Sequence, residues 1–216
     1  MSSITLSSAA TTVASLLLEI EAIRLQPNSP FTWASGWKSP IYCDNRLSLS
    51  FPQVRGYIKE QLEANIRQFF PEVEAIAGVA TAGIPQGALV AESMGLPFLY
   101  VRSKAKGHGM ENLIEGRVVP GQQVVVLEDL ISTGGSSLKA ASALKESGFD
   151  VLGMAAIFTY GFPLAEQNFK DAELPLMVLS NYTTMLDEAI ASGYVTEDQR
   201  SILSEWQEAP DKWEGA

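Results

Sequence analysis

The stretch Val124-Val125-Val126-Leu127-Glu128-Asp129-Leu130-Ile131-Ser132-Thr133-Gly134-Gly135-Ser136-Ser137 joins an apolar run to two adjacent acids and then to a turn of small residues. Helical spacing follows over Leu138–Lys145. An apolar run without polar alternation reads as a strand buried on both faces, here Val124–Leu127, and the helix after it makes one β–α unit. In open α/β sheets, ligands gather at the carboxyl ends of the strands, where a helix N-terminus offers unpaired backbone N–H groups to an anion. Gly134 and Gly135 keep bulky side chains out of the way of a phosphate, and Ser132, Thr133 and Ser136 add short hydroxyl donors. Glu128 and Asp129 are poor neighbours for a phosphate unless they have another partner. Vicinal ribose hydroxyls, which donate to carboxylates, are one such partner and Mg²⁺ is another. A phosphorylated sugar uses both halves of the stretch. A capped strand-to-helix turn with two solvated acids accounts for the last five residues without any ligand, but the full fourteen-residue string is far more specific. It is not a nucleoside-triphosphate P-loop, because no Lys follows the glycine pair.

Working outward, the same pattern repeats. Ile76–Val79, Phe98–Val101, Val151–Phe158 and Leu176–Leu179 read as further strands, and Ile84–Met94, Gly135–Ser147 and Leu164–Phe169 as helices between them. Apolar strands alternating with helices predict a doubly wound α/β fold, with a mainly parallel sheet covered on both faces. Pro52 opens a helix that runs to Phe69 or Phe70 and is stopped by Pro71. Apolar spacing from Thr12 to Leu25 predicts a first helix, and the stretch from Tyr182 to Trp206 one or two more, broken near Gly193. Between the first two helices, Phe31–Arg46 mixes aromatics, Gly36, Pro40 and the β-leaning Ile41-Tyr42-Cys43, and is expected to be extended. No repeat or linker divides the chain. Residues 1–216 are expected to form one domain, with a small hood from about 1–50 and part of the C-terminal region.

Composition narrows the function. A formal net charge of −10 over 216 residues and a pI near 4.6 exclude the broad basic surface that nucleic acids require. Phosphate chemistry would have to rely on a local basic site. The single cysteine, Cys43, cannot form an intrachain disulfide, so a reducing cytoplasm fits. No Lys or Arg precedes Arg24, and Glu19 and Glu21 interrupt the N-terminal apolar run, which argues against a targeting peptide. No stretch has the ~18 continuous apolar residues of a membrane span.

The local basic site lies in Arg102-Ser103-Lys104-Ala105-Lys106-Gly107-His108-Gly109, which follows a predicted strand. Three cations and the only histidine of the chain fall within seven residues there. A charge run on an exposed loop is the plain alternative, but beside a sugar-phosphate site these groups suit a pyrophosphate leaving group. In Phe31–Arg46, a flat aromatic surface with a cation would suit a planar carboxylate, with Lys38, Tyr42 and Arg46 as candidates. Aromatic residues at such spacing also simply pack. Ala80-Thr81-Ala82-Gly83-Ile84-Pro85 closes one strand and opens a helix.

The string around Glu128 and Asp129 resembles the phosphoribosyl pyrophosphate (PRPP) motif of type I phosphoribosyltransferases. The Arg102–Gly109 loop and the Phe31–Arg46 hood are similar to those of the orotate phosphoribosyltransferase family. The resemblance extends from about Phe31 to the C-terminal helices. It implies transfer of ribose 5-phosphate from PRPP to orotate, giving orotidine 5′-monophosphate and pyrophosphate. It also implies that Glu128 and Asp129 bind the ribose hydroxyls, that Leu130, Ile131, Ser132, Thr133, Gly134, Gly135 and Ser136 complete the PRPP site, and that Arg102, Lys106 and His108 contact the pyrophosphate. Lys106, His108 and Asp129 are the implied catalytic residues. Ser132, Lys38, Tyr42 and Arg46 are candidates for orotate. The implied cofactor is Mg²⁺, held mainly by PRPP, and the implied assembly is a homodimer that shares loop 102–116 across subunits. Some relatives carry Lys at the positions of Ala34, Ala82 and Ser103 and a basic residue at that of Gly161. Two alternatives stay open: a phosphoribosyltransferase for another base, or a non-catalytic PRPP-binding regulator, which would show an added DNA-binding domain and a basic face.

Overall fold

A computed structural model describes residues 7–33, 35–103 and 113–215. In chain order, α1 (Ser7–Glu19) is followed by four short strands, β1 (Ile23–Leu25), β2 (Phe31–Thr32), β3 (Lys38–Ser39) and β4 (Ile41–Cys43), and by a 3-10 turn over Asn45–Ser50. The remainder alternates: α2 (Pro52–Phe69), β5 (Ala75–Val79), α3 (Gly83–Met94), β6 (Phe98–Val101), β7 (Ile114–Glu115), β8 (Gln123–Ile131), α4 (Gly135–Glu146), β9 (Asp150–Thr159), α5 (Pro163–Asp171), β10 (Leu176–Asn181), α6 (Tyr182–Ala191) and α7 (Arg200–Glu208).

Six strands form the main sheet in the order β10-β9-β8-β5-β6-β7. All neighbours are parallel except the antiparallel β6–β7 edge pair. Every residue of β5 is buried, which requires cover on both faces of the sheet. Helices α2 and α3 touch each other and pack over β5, β8 and β9, while α4 and α5 touch each other and serve β6, β8 and β9. This is the doubly wound α/β arrangement expected from the alternating pattern.

Two expectations change in extent. The helix read over Thr12–Leu25 ends at Glu19, and Glu21 has a positive φ of 56°. Beyond it, Ile23 and Leu25 are buried with the half-buried Arg24 between them, a period of two that had passed for a continuing helical period. β1 pairs with β4 through Ile23 and Cys43, Arg24 and Tyr42, and Leu25 and Ile41. The second change matters for chemistry. The strand read over Val124–Leu127 runs on to Ile131, because the ten-residue β9 continues to pair with it, Glu128 with Ala156 and Ile131 with Thr159.

On its other side β8 loses its partner earlier. β5 pairs with β8 only as far as Gly78 and Leu127, then turns into α3. After β5 the chain adds β6 on one side and places β8 on the other, so strand order reverses between β5 and β8. A crevice at the carboxyl ends of the strands opens at such a switch point. Glu128 and Asp129 lie on the stretch of β8 that projects into it.

Candidate active site

Glu128 has turned inward. Its Oε1 accepts from the backbone N–H of Asp129 at 3.0 Å, and its Oε2 accepts from the Ser137 hydroxyl at 3.2 Å. Only 6% of Glu128 is exposed. Burial and the adjacent Asp129 charge both push its carboxyl well above the ordinary carboxylate range. Burial also raises Asp129, against a lowering hydrogen bond from Glu128 and the positive charge of Arg46. The two acids therefore form a pair that resists double ionisation until a donor or cation joins it.

The turn after β8 leaves backbone open at the start of α4. Gly134, the residue before α4, adopts φ 80°, and a Cβ there would come within 2.8 Å of the Phe169 ring. Backbone conformation and helix packing thus demand this glycine, in addition to any phosphate. Gly135 differs, since the nearest atom to a Cβ there is Thr133 Oγ1 at 4.0 Å, which leaves the approach to the helix end open. No side chain caps α4, so its first N–H groups and the positive end of its dipole face outward. From α5, Asn168 Nδ2 donates to the Thr133 carbonyl at 2.9 Å and braces the turn. Ser132 and Thr133 are half-buried, Gly135 and Ser136 are exposed, and Leu130 is half-buried. Ile131 has its side chain in the core, and its carbonyl accepts from Thr159 Oγ1 and Tyr160 N.

A cavity of about 720 Å³ extends from this turn toward the end of β6, lined by Ala80, Arg102, Ser103, Gly135, Ser136 and Lys139 among others. Arg102 is half-buried there, and its guanidinium pairs with Glu115 at 3.4 Å. The predicted Lys106 and His108 lie outside the described residues. Gly83 opens α3 so close to β8 that a Cβ would overlap the Leu127 carbonyl. The Ala80–Thr81 peptide before it is cis.

The hood residues separate into two groups. Arg46 grips Asp44 with Nε at 2.6 Å and a second nitrogen at 2.9 Å, and Asp129 adds to the field that favours its charge. Lys38 points elsewhere, donating to Thr32 Oγ1 at 2.9 Å. Tyr42 packs against Phe31, and the Arg24 guanidinium stands 4.9 Å from the Tyr42 ring centre. Behind them, Trp33, Tyr160, Phe162 and Trp206 form an aromatic block, with Trp206 Nε1 donating to the Lys38 carbonyl and Gln207 donating to the Tyr160 carbonyl. This ties α7 to the hood.

Several residues at this site escaped the sequence reading. Asn45 is 1% exposed and its Nδ2 donates to the backbone carbonyl of Asp129 at 2.7 Å. Cys43 lies within reach of the Asp129 and Asp44 charges, which add to burial in raising its thiol. Ser137, Asn168 and Arg24 were missed as well. Each acts through a contact with a residue distant in sequence, so local spacing gave no signal; only Ser137, next to the quoted turn, was within reach of it.

Residues 50–185 match the model of the phosphoribosyl transferase domain. Over 201 residues the chain is 61% identical to the orotate phosphoribosyltransferase of Cytophaga hutchinsonii, covering 93% of this chain and 96% of that one. The chain belongs to the orotate phosphoribosyltransferase family. The family's enzyme from Porphyromonas gingivalis is 58% identical over the same share of each chain. A solved family structure, that of Aeropyrum pernix orotate phosphoribosyltransferase, superimposes with a TM-score of 0.74 at 27% identity, over 85% of this chain and 99% of that one. The family relationship accounts for the α/β fold.

Proposed function

We propose that this chain transfers ribose 5-phosphate from PRPP to orotate, yielding orotidine 5′-monophosphate and pyrophosphate. The observation that carries the reading is the pair of buried Glu128 and half-buried Asp129, on the stretch of β8 that β9 still pairs but β5 no longer does, followed at once by the uncapped N-terminus of α4. Similarity to curated orotate phosphoribosyltransferases at 61% and 58% identity supports the choice of base.

In this reading Asp129, backed by Glu128, accepts hydrogen bonds from the ribose hydroxyls. The N–H groups and hydroxyls of 132–136 hold the 5-phosphate. Arg102, Lys106 and His108 stabilise pyrophosphate as the bond from the anomeric carbon to its oxygen breaks and the electron pair leaves with it. A ring nitrogen of orotate then forms the new bond to that carbon and gives up its N–H proton, which the oxygens of the departing pyrophosphate can take. The cationic character that develops on the sugar makes water a competitor, so closure over the site is required. The base would lie between Asp129 and the hood, with Ser132, Tyr42 and Arg46 along its edge, while Lys38, engaged with Thr32, lies away from it. Mg²⁺, when bound, would supply charge neutralisation for the departing pyrophosphate; the hard carboxylate oxygens of Asp129 would help hold it, with PRPP as its main ligand.

The hood of about 1–50 and the C-terminal α7 form one unit with the core in a single domain. A homodimer sharing loop 102–116 and a cytoplasmic location complete the proposal. No helix among the described residues is long and apolar enough to cross a membrane. The test is to supply purified protein with PRPP and Mg²⁺ and, separately, orotate, uracil and purine bases. Orotidine 5′-monophosphate from orotate alone supports the reading, and preferential turnover of another base overturns it.

A further inference from the structure

A line of buried side chains joins the hood to the acid strand, and Asn45 is its hub. The Asn45 side chain donates from Nδ2 to the Asp129 carbonyl at 2.7 Å, across 84 residues of sequence. Its Oδ1 accepts from the Cys43 thiol at 3.4 Å. These two contacts fix which way the amide points, since a carbonyl can only accept. Its own backbone carbonyl accepts from the Ser48 hydroxyl at 2.6 Å, and Ser48 in turn accepts from Gln86 Nε2 on α3 at 3.4 Å. Asn45, Ser48 and Gln86 are each at most 2% exposed. A buried amide with its donor and acceptor both engaged is a stiff connector, because breaking it leaves unpaired polar groups in the interior.

We propose that Asn45 is a positioning residue that sets the base-binding hood in register with the ribose-binding acid. Asn45 sits between Asp44 and Arg46, so its bond to the Asp129 backbone fixes the Arg46 side chain's starting point and the Asp129 peptide at once. The phosphate turn and Arg102 are held by other contacts, from Asn168 and Glu115. Loss of the connector should therefore impair use of the base more than capture of PRPP. This inference rests on the assignment of Asp129 to the ribose.

The experiment compares steady-state kinetics of the wild type with Asn45→Asp, Ser48→Ala and Asp129→Asn, alongside thermal unfolding. Asn45→Asp keeps shape and the acceptor for Cys43 but removes the N–H donor. Expected is a fall of about 10- to 100-fold in kcat/KM for orotate, with KM for PRPP changed by less than about threefold. Ser48→Ala, which loosens the same connector from outside, should give a smaller loss of the same kind and serves alone if Asn45→Asp does not fold. The proposal is overturned if Asp129→Asn is impaired while both connector variants match wild type, or if both substrates suffer equally. Wild-type kinetics in Asp129→Asn would instead overturn the ribose assignment.

Discussion

The Ser137 hydroxyl, in the first turn of α4, donates to Glu128 Oε2 at 3.2 Å across nine residues of sequence. One hydrogen bond thus couples the strand that carries the acids to the helix whose N-terminus is proposed to meet the phosphate. Ser137 is 1% exposed, so water cannot replace it. Ser137→Ala leaves a buried carboxyl oxygen short of a donor, a loss of roughly 1–3 kcal/mol. The expected outcome is a Tm lowered by several degrees and a reduced kcat/KM for PRPP, with Ser137→Thr closer to wild type. Calorimetry and initial rates check both.

The raised carboxyl of Glu128 gives a stability effect of definite sign. A folded-state pKa above the unfolded value means that the native state binds more protons. Stability is then fully retained below the unfolded pKa and declines as pH rises toward the folded one. Glu128→Gln removes the ionisation while keeping an acceptor for the Asp129 N–H. Relative to wild type it should unfold about 2–4 °C higher at pH 8, and the gap should close toward pH 4. A constant offset across that range would contradict the cause given for the shift.

Gly134→Ala should be costly for two reasons. A positive φ of 80° costs an alanine roughly 1–2 kcal/mol, and its Cβ would press on Phe169 from 2.8 Å. The expected result is a Tm about 4–8 °C lower together with weaker PRPP binding. Gly135→Ala, with open space around it, should leave stability nearly unchanged and affect PRPP binding alone.

Asn168 braces the turn at Thr133, the proposed phosphate site, from α5. Asn168→Ala removes a hydrogen bond worth about 0.5–1.5 kcal/mol, so KM for PRPP should rise by roughly 3- to 10-fold with KM for orotate little altered. Initial rates with each substrate varied in turn separate the two.

Much of this site is legible in the sequence because its chemistry is local. The strand, the acid pair and the small-residue turn are consecutive, and the apolar runs that make the sheet are self-contained signals. What escapes is long-range. Nothing in Asp44-Asn45-Arg46 announces that Asn45 reaches Asp129, and nothing near Asn168 points to Thr133. The extent of β8 escaped for a related reason. Acidic residues mark a strand end only when both neighbouring strands stop, and β9 continues where β5 does not. Similarly, Ile23 and Leu25 fit a helix by spacing and a strand by alternation, and pairing with β4 decided between them.

Lys106 belongs to the cation-rich sequence Arg102–Gly109, and its proposed role is to stabilise charge on the departing pyrophosphate. Such a group acts mainly on the transition state. Lys106→Ala should lower kcat by about 100-fold or more with PRPP affinity changed far less, as read by single-turnover kinetics and equilibrium binding. An unchanged turnover number would remove Lys106 from the mechanism.

The most direct measurement is a crystal structure with PRPP bound. Expected are the ribose hydroxyls within hydrogen-bonding distance of Asp129 and the 5-phosphate against the backbone N–H groups of 133–136. PRPP bound elsewhere, or the 5-phosphate turned away from the start of α4, would contradict the proposed site.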